Sequence, residues 1–276
     1  MKINLQQISD ISLTTHNLVV GYDIPIVKGV DLDIQAGKIS VLVGPNGCGK
    51  STLLKCLARV LTPSSGNVLL NGQSVHSLPA KKVAKTMALL PQGPIAPEGL
   101  SVKELVAQGR YPHQSFFRQW SVEDENAVSE AMKVTNIEAL ANHSISDLSG
   151  GQRQRCWIAM VLAQQTEIVL LDEPTTYLDL KVQVDLLELL TDMAHQHKRT
   201  LVIVLHELNL AAAYADHLIM MKEGEIYTQG HPKSVFNAEN LHAVFGLSAK
   251  VIEDDETNSL ICIPNRSSTT EKKINQ

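Results

Sequence analysis

The run Gly44-Pro45-Asn46-Gly47-Cys48-Gly49-Lys50-Ser51 fits the spacing GxxxxGK[ST], with the apolar stretch SVLVG before it and the helical pattern STLLKCLARVL after it. Glycines at that spacing let the backbone wrap closely around phosphate groups and present N–H groups with no Cβ in the way. The helix that follows turns its positive end on the anion. The pattern predicts that Lys50 reaches the β and γ phosphates of a nucleoside triphosphate and that Ser51 holds Mg²⁺ through its hydroxyl. Gly49 and Thr52 are expected to donate toward the α and β phosphates. Gly44, Pro45, Asn46, Gly47 and Cys48 complete the loop; Cys48 fills a variable position and is not read as a nucleophile. A second acidic motif, IVLLDEP, ends an apolar run at Asp172 and Glu173. Asp172 is placed to bind Mg²⁺ directly or through water, and Glu173 to polarise an attacking water. Adjacent carboxylates on a strand project to opposite sides and can take separate tasks. Taken without the glycine loop, the same pair would read as a solvated turn.

These residues need a frame of strands and helices. From Ile11 to about Val43 apolar and polar residues alternate between Gly and Asp punctuation, the pattern of strands joined by turns, several of them antiparallel. GNVLLNGQSV reads as a hairpin, and HLIMMKEGEIYTQG as another with Gly224 in its turn. Between Leu100 and Leu162 the period changes to three and four, predicting an all-helical insert built from SVKELVAQGRY, VEDENAVSEAMKVT and GGQRQRCWIAMVLAQ. IVLLDEP, buried on both faces, predicts a central parallel strand; VQVDLLELLTDMAHQ and TLVIVLH add a helix and a strand, and a helix near LNLAAAYA follows. The expected class is α/β, a phosphate-loop fold with a parallel core, an antiparallel β subdomain and an α-helical subdomain. Residues 11–246 are expected to form one domain whose helical part spans about 93–160, followed by an extension over 247–264 and a polar, disordered tail over 265–276.

Composition bounds the function. The 276 residues carry 24 basic and 29 acidic side chains, a net charge of −5, so nothing draws the chain as a whole to nucleic acid or anionic lipid. With 44% hydrophobic and 19% charged residues it is a globular composition. The segment MKINLQQISD lacks a signal-peptide pattern, and no apolar stretch approaches the roughly 20 residues that cross a bilayer, so a cytosolic setting is expected. Cys48, Cys56, Cys156 and Cys262 are scattered and are read as reduced thiols. His195 and His197 read as a solvated helix end rather than a metal site.

Leu148-Ser149-Gly150-Gly151-Gln152, directly before a helix, completes the pattern. Here the chain resembles the ATP-binding cassette (ABC) ATPases, over nearly its whole length and with the motifs in family order. The resemblance implies that Tyr22 stacks on adenine, that Gln92 senses Mg²⁺ or water and relays its state to the helical insert, and that Asp179 sits at a dimer seam. It also implies that His206 contacts the γ-phosphate and orders the attacking water beside Glu173. Taken alone, Tyr22 and His206 would read as packing residues. Ser149 with the Gly150 and Gly151 amides forms an anion-receptive nest, with Gln152 next in the motif. One chain already uses such a nest for its own ATP, so this one serves another. In the family, two subunits pack head to tail, and each donates its signature to the ATP held by its partner.

About 55 residues separate Gln92 from Leu148, too few for the long coiled coils of chromosome-type relatives. The segments GRYPHQSFFRQWSVEDENAV, LLDEPTTYLDL and LHELNLAAAYADHLI resemble the ATPases of bacterial ferric-siderophore importers, a group that includes heme and cobalamin importers. Glu207 stands where aspartate is commoner. The resemblance implies a homodimer at the cytoplasmic face of the inner membrane. Two integral-membrane permease subunits and an extracytoplasmic siderophore-binding protein would be its partners, with no nucleic acid. Residues Gly109 to Trp120, including Phe116 and Phe117, would meet the permease, or else be an ordinary packed surface loop. A soluble, non-transport ABC ATPase and a nucleotide-gated scaffold are the alternatives; Glu173 and His206 speak against the second.

Overall fold

The structure, a computed structural model, describes residues 11–114 and 120–265. The expectations for the first ten residues, for Phe116 and Phe117 and for the tail from 266 onward lie outside the described residues. The chain runs β1 (Leu13–Gly21), β2 (Pro25–Ile34), β3 (Ile39–Val43), α1 (Lys50–Leu57), β4 (Ser65–Leu70), β5 (Gln73–Ser74), α2 (Ala80–Thr86) and β6 (Met87–Leu90). Helices α3 (Val102–Ala107), α4 (Val122–Val134) and α5 (Gly150–Ala163) form the insert. Then come β7 (Ile168–Asp172), α6 (Leu180–His195), β8 (Thr200–Val204), α7 (Leu208–Tyr214), β9 (His217–Lys222) and β10 (Glu225–Gly230). Helices α8 (Pro232–Val235) and α9 (Ala238–Phe245) precede the hairpin of β11 (Ala249–Glu253) and β12 (Leu260–Pro264).

Two sheets stack. The first is antiparallel, in the order β2-β1-β4-β5. Its β4–β5 turn places Asn71 and Gly72 at φ 51° and 73°, the two left-handed positions that a two-residue hairpin of this twist requires. The second has the order β10-β9-β3-β8-β7-β6, with β3, β6, β7, β8 and β9 parallel and only β10 reversed. Although β3 follows the antiparallel run in sequence, it leaves that sheet and becomes a central strand of the other. Every residue of β3, β7 and β8 is buried, as expected for strands covered on both faces.

Period-two alternation divides those central strands between two cores. Leu42, Leu170, Val202 and Val204 pack with Leu18, Val20, Leu53 and Leu54 on the side of the antiparallel sheet. Val41, Val43, Val169, Leu171 and Ile203 pack on the opposite side with Trp157 of α5 and Leu187 and Leu190 of α6. Each such side chain contributes about 1.5–3 kcal/mol by leaving water. The carboxyl edge of this sheet, locked between two cores, is where the loops after β3, β6, β7 and β8 converge.

The insert is organised by three reciprocal caps, Ser101 with Glu104, Ser121 with Asp124 and Ser149 with Gln152. Its interior also holds a buried ion pair. Arg110 Nε donates to Asp124 Oδ1 at 2.9 Å, while Nη1 donates to the Ala163 carbonyl at 2.7 Å, tying the segment after α3 to the start of α4 and the end of α5. Burial opposes ionisation of Asp124, but the bonds from Arg110 and Ser121 outweigh it and hold the carboxyl below its usual range.

Candidate nucleotide site

The loop between β3 and α1 is shaped by its glycines. Gly44, Gly47 and Gly49 take φ of 156°, 78° and 108°, and a Cβ on Gly44 would stand 2.3 Å from the Met221 carbonyl oxygen. No side chain caps α1 and no acid occupies its first turn, so its leading N–H groups face outward beside a positive helix end. Lys50 is buried under the loop. Its Nζ donates to the carbonyls of Gly44 at 2.8 Å and Pro45 at 3.1 Å, and lies 3.9 Å from Cys48 Sγ. Burial pushes the Cys48 thiol up against the pull of Lys50, which leaves it protonated and unreactive. All four cysteines are unpaired and buried.

Across from the loop, β7 delivers Asp172. Its Oδ1 accepts from Ser51 Oγ at 2.8 Å, whereas its buried Oδ2 has no hydrogen-bond partner. Burial raises this carboxyl above the usual range; the Ser51 bond opposes the rise and the neighbouring Glu173 charge adds to it. An orphaned buried carboxylate oxygen beside a serine hydroxyl is an oxygen donor set suited to a hard cation such as Mg²⁺.

Strand alternation does not set the direction of Glu173, contrary to the sequence expectation. Glu173 has left β7 and takes φ 53°, so the two carboxylates diverge through a left-handed backbone position. Its Oε2 accepts from Gln92 Nε2 at 2.5 Å and from Thr176 Oγ1 at 3.2 Å, and its Oε1 contacts His206 Nε2. Gln92 follows β6, and His206 follows β8. A cavity of about 570 Å³ separates the phosphate loop from this group. Asn46, Gly47, Gly49, Lys50, Ser51 and Thr52 line one side; Gln92, Glu173, Thr176, Tyr177 and His206 line the other.

The remaining expected residues fall elsewhere. Tyr22 is 65% exposed and outside the cavity lining, as are Gly44, Pro45 and Cys48, which lie beneath the loop surface or at its edge. Ser149 caps α5: its hydroxyl accepts from Gln152 N at 3.3 Å, and Gln152 Oε1 accepts from Ser149 N at 3.0 Å. Gly150 lines an adjoining cavity of about 490 Å³ that shares Gln92, Glu173, Thr176 and Tyr177 with the first; Ser149, Gly151 and Gln152 line neither. Asp179 caps α6, its Oδ1 accepting from Val182 N at 3.0 Å. Sequence reasoning passed over Thr176 and Tyr177. Thr176 reaches Glu173 from three residues away, and Tyr177 stands 99% exposed at φ 64°. A threonine and a tyrosine three and four residues after Glu173 were the available signal.

Comparison with known proteins adds the family. A profile of the ABC transporter family matches residues 27–176. A "probable siderophore transport system ATP-binding protein" of Bacillus subtilis is 50% identical over 254 residues, covering 92% of each chain. The ferric enterobactin transport ATP-binding protein of Escherichia coli K12 is 47% identical over 253 residues, 91% of this chain and 93% of that one. Among solved structures, an inward-facing ABC transporter assigned to the metal-chelate type superposes with a TM-score of 0.82 at 29% identity, covering 94% of this chain and 98% of its own. A dimeric bacterial ABC transporter cassette superposes at 0.71 with 27% identity, over 80% and 98% of the two chains. Phosphate loop, acidic strand end and signature helix therefore stand in the order and fold of one family, and the chain belongs to it: the ATP-binding, ATP-hydrolysing proteins of ABC transporters.

Proposed function

We propose that the chain energises uptake of an iron(III)–siderophore complex. In this reading two copies close on two ATP molecules at the cytoplasmic face of the cell membrane, beneath two integral-membrane permease subunits. An extracytoplasmic siderophore-binding protein supplies the chelate to the permease. No helix among the described residues is long and apolar enough to cross a membrane; the reading assigns the membrane path to the partner subunits. The names of relatives with 46–50% identity over about nine-tenths of the chain, for siderophore, achromobactin and ferric enterobactin transport, support the substrate class.

The chemistry rests mainly on positioning and electrostatics, as phosphoryl transfer requires. Lys50 exchanges two neutral carbonyl acceptors for anionic β and γ oxygens, a stronger class of hydrogen bond. The uncapped start of α1 receives the phosphates. Ser51 and Asp172 would hold Mg²⁺, which supplies positive charge against the β and γ oxygens when bound. Glu173 orients and deprotonates the attacking water, His206 contacts the γ-phosphate, and Gln92 reports on the same carboxylate. Tyr22 stacks on the adenine. The partner's copies of Ser149, Gly150, Gly151 and Gln152 close the γ-phosphate side, with Asp179 at the seam.

One observation carries this reading: Glu173, gripped by Gln92, Thr176 and His206, faces the phosphate loop across a single cavity. Uptake of a panel of labelled iron chelates, compared between cells with and without the chain, tests the substrate class. Loss of one ferric siderophore is expected. Intact uptake of every chelate, with loss of heme or cobalamin uptake instead, would overturn it.

A further inference from the structure

Behind the wall that carries Glu173 lies a polar cluster with no part in the chemistry above. Gln183, on α6 and only 8% exposed, turns its amide nitrogen toward three acceptors. These are the carbonyls of Thr175 and Leu178, each at 3.2 Å, and Glu207 Oε1 at 3.4 Å. Thr175, 1% exposed, donates its hydroxyl to the other Glu207 oxygen at 3.4 Å. Thr175 is two residues from Glu173, and Glu207 is adjacent to His206. One amide thus grips both the turn that bears the proposed base and the residue beside the histidine that the base contacts.

That turn needs an external tie. Glu173 and Tyr177 both take left-handed φ, 53° and 64°, a conformation that non-glycine residues hold only when their surroundings impose it. The two carbonyls held by Gln183 lie within the same stretch, between Glu173 and Asp179. The amide has two protons for three acceptors, so its loss weakens several ties together. Gln183 and Glu207 line neither cavity, so they do not touch the nucleotide's own surfaces. Glu207 makes no side-chain cap bond to α7, and both of its carboxylate oxygens accept from this cluster.

We propose that Gln183 and Glu207 are positioning residues for hydrolysis, a strut of a buried amide and a half-buried carboxylate that holds Glu173 and His206 in contact and ties that contact to the loop bearing Asp179. The proposal rests on the roles assigned to Glu173 and His206 above. Its test uses the full chain with Gln183→Leu, Glu207→Ala and the double variant, reading kcat and KM for ATP, affinity for a nonhydrolysable ATP analogue, and melting temperature. Each single variant should lower kcat about tenfold with analogue affinity within about twofold, because positioning and not binding is lost. The double variant should be no slower than the worse single one, since both break the same strut. Glu207→Ala, at a partly exposed site, answers even where Gln183→Leu does not fold. Wild-type kcat in both, equal losses of kcat and affinity, or multiplying losses in the double variant would overturn the strut. Glu173→Gln, measured alongside, separates the two failures. Normal turnover in that variant would remove the underlying reading, whereas an inactive Glu173→Gln beside fully active strut variants would remove the strut alone.

Discussion

Two helices of this chain start at glycine-rich turns, and they start in opposite states. At α1 the cap position is Gly49 in a left-handed conformation, with no side chain on the free N–H groups and Lys50 at the first turn. At α5 the cap is Ser149 in an extended conformation, and it exchanges hydrogen bonds with Gln152 until both ends are satisfied. An uncapped, positively polarised helix end beside a buried lysine has the chemistry of an anion site. A self-capped end on an exposed surface is stable by itself and can meet a ligand brought to it from outside. The difference teaches that one helix start leaves its N–H groups to an outside acceptor while the other satisfies its own; under the proposed function these become two half-sites, the second served by a partner's nucleotide.

The comparison can be broken or sharpened in four places. The largest effect is expected at the wall the two halves would share. Glu173→Gln should lower turnover about 10²- to 10⁴-fold while ATP still binds, because a positioned base is lost and the binding surfaces are kept. Steady-state turnover with a parallel binding titration checks it. At the α1 half-site, Lys50→Ala should weaken ATP binding itself, on the order of tenfold to a hundredfold, as a cation between phosphates is removed. Calorimetry reads this directly, and unchanged affinity would contradict the assignment. At the α5 half-site, Gly150→Ala gives the sharper contrast. An added Cβ there meets nothing within 4 Å, so melting temperature and single-chain ATP affinity should stay put. Turnover should nevertheless fall several-fold, about 1 kcal/mol of lost approach to the partner's phosphates. The smallest effect is on stability: loss of the cap in Ser149→Ala should cost about 1 kcal/mol, a melting shift of roughly 2–4 °C by calorimetry, beside any turnover lost with its contact to the partner's phosphate.

The frame and the glycine loop before α1 were legible because their signals are local. Period-two runs, a three-and-four helical insert and a glycine spacing are each written in consecutive residues. What stayed hidden depends on distant partners. Nothing in the spacing of Arg110 and Asp124 announces a pair, yet folding buries Arg110 against Asp124 and the Ala163 carbonyl. Gln183 and Glu207 are 24 positions apart and meet only because α6 packs beside the loop after β8. The reciprocal cap in which Ser149 Oγ accepts from Gln152 N, leaving its O–H free to donate, was likewise not read from the motif. Alternation predicted two faces for Asp172 and Glu173, and the chain separates them instead with a left-handed residue, which no side-chain pattern announces. Tyr22, placed by resemblance, lies outside the cavity within a single chain.

The central claim is that the two half-sites meet across a pair of chains. A photoreactive group on the γ-phosphate of ATP tests it most directly, in a mixture of two isotopically distinguished chains that both carry Glu173→Gln. The heavy chain also carries Lys50→Ala, and the analogue is kept well below that variant's weakened affinity, so that its own loop stays essentially free of nucleotide. The account predicts label on the heavy chain's Ser149–Gln152 peptide, delivered by nucleotide held in the light chain. Label confined to light-chain peptides, with the heavy signature untouched, would contradict it.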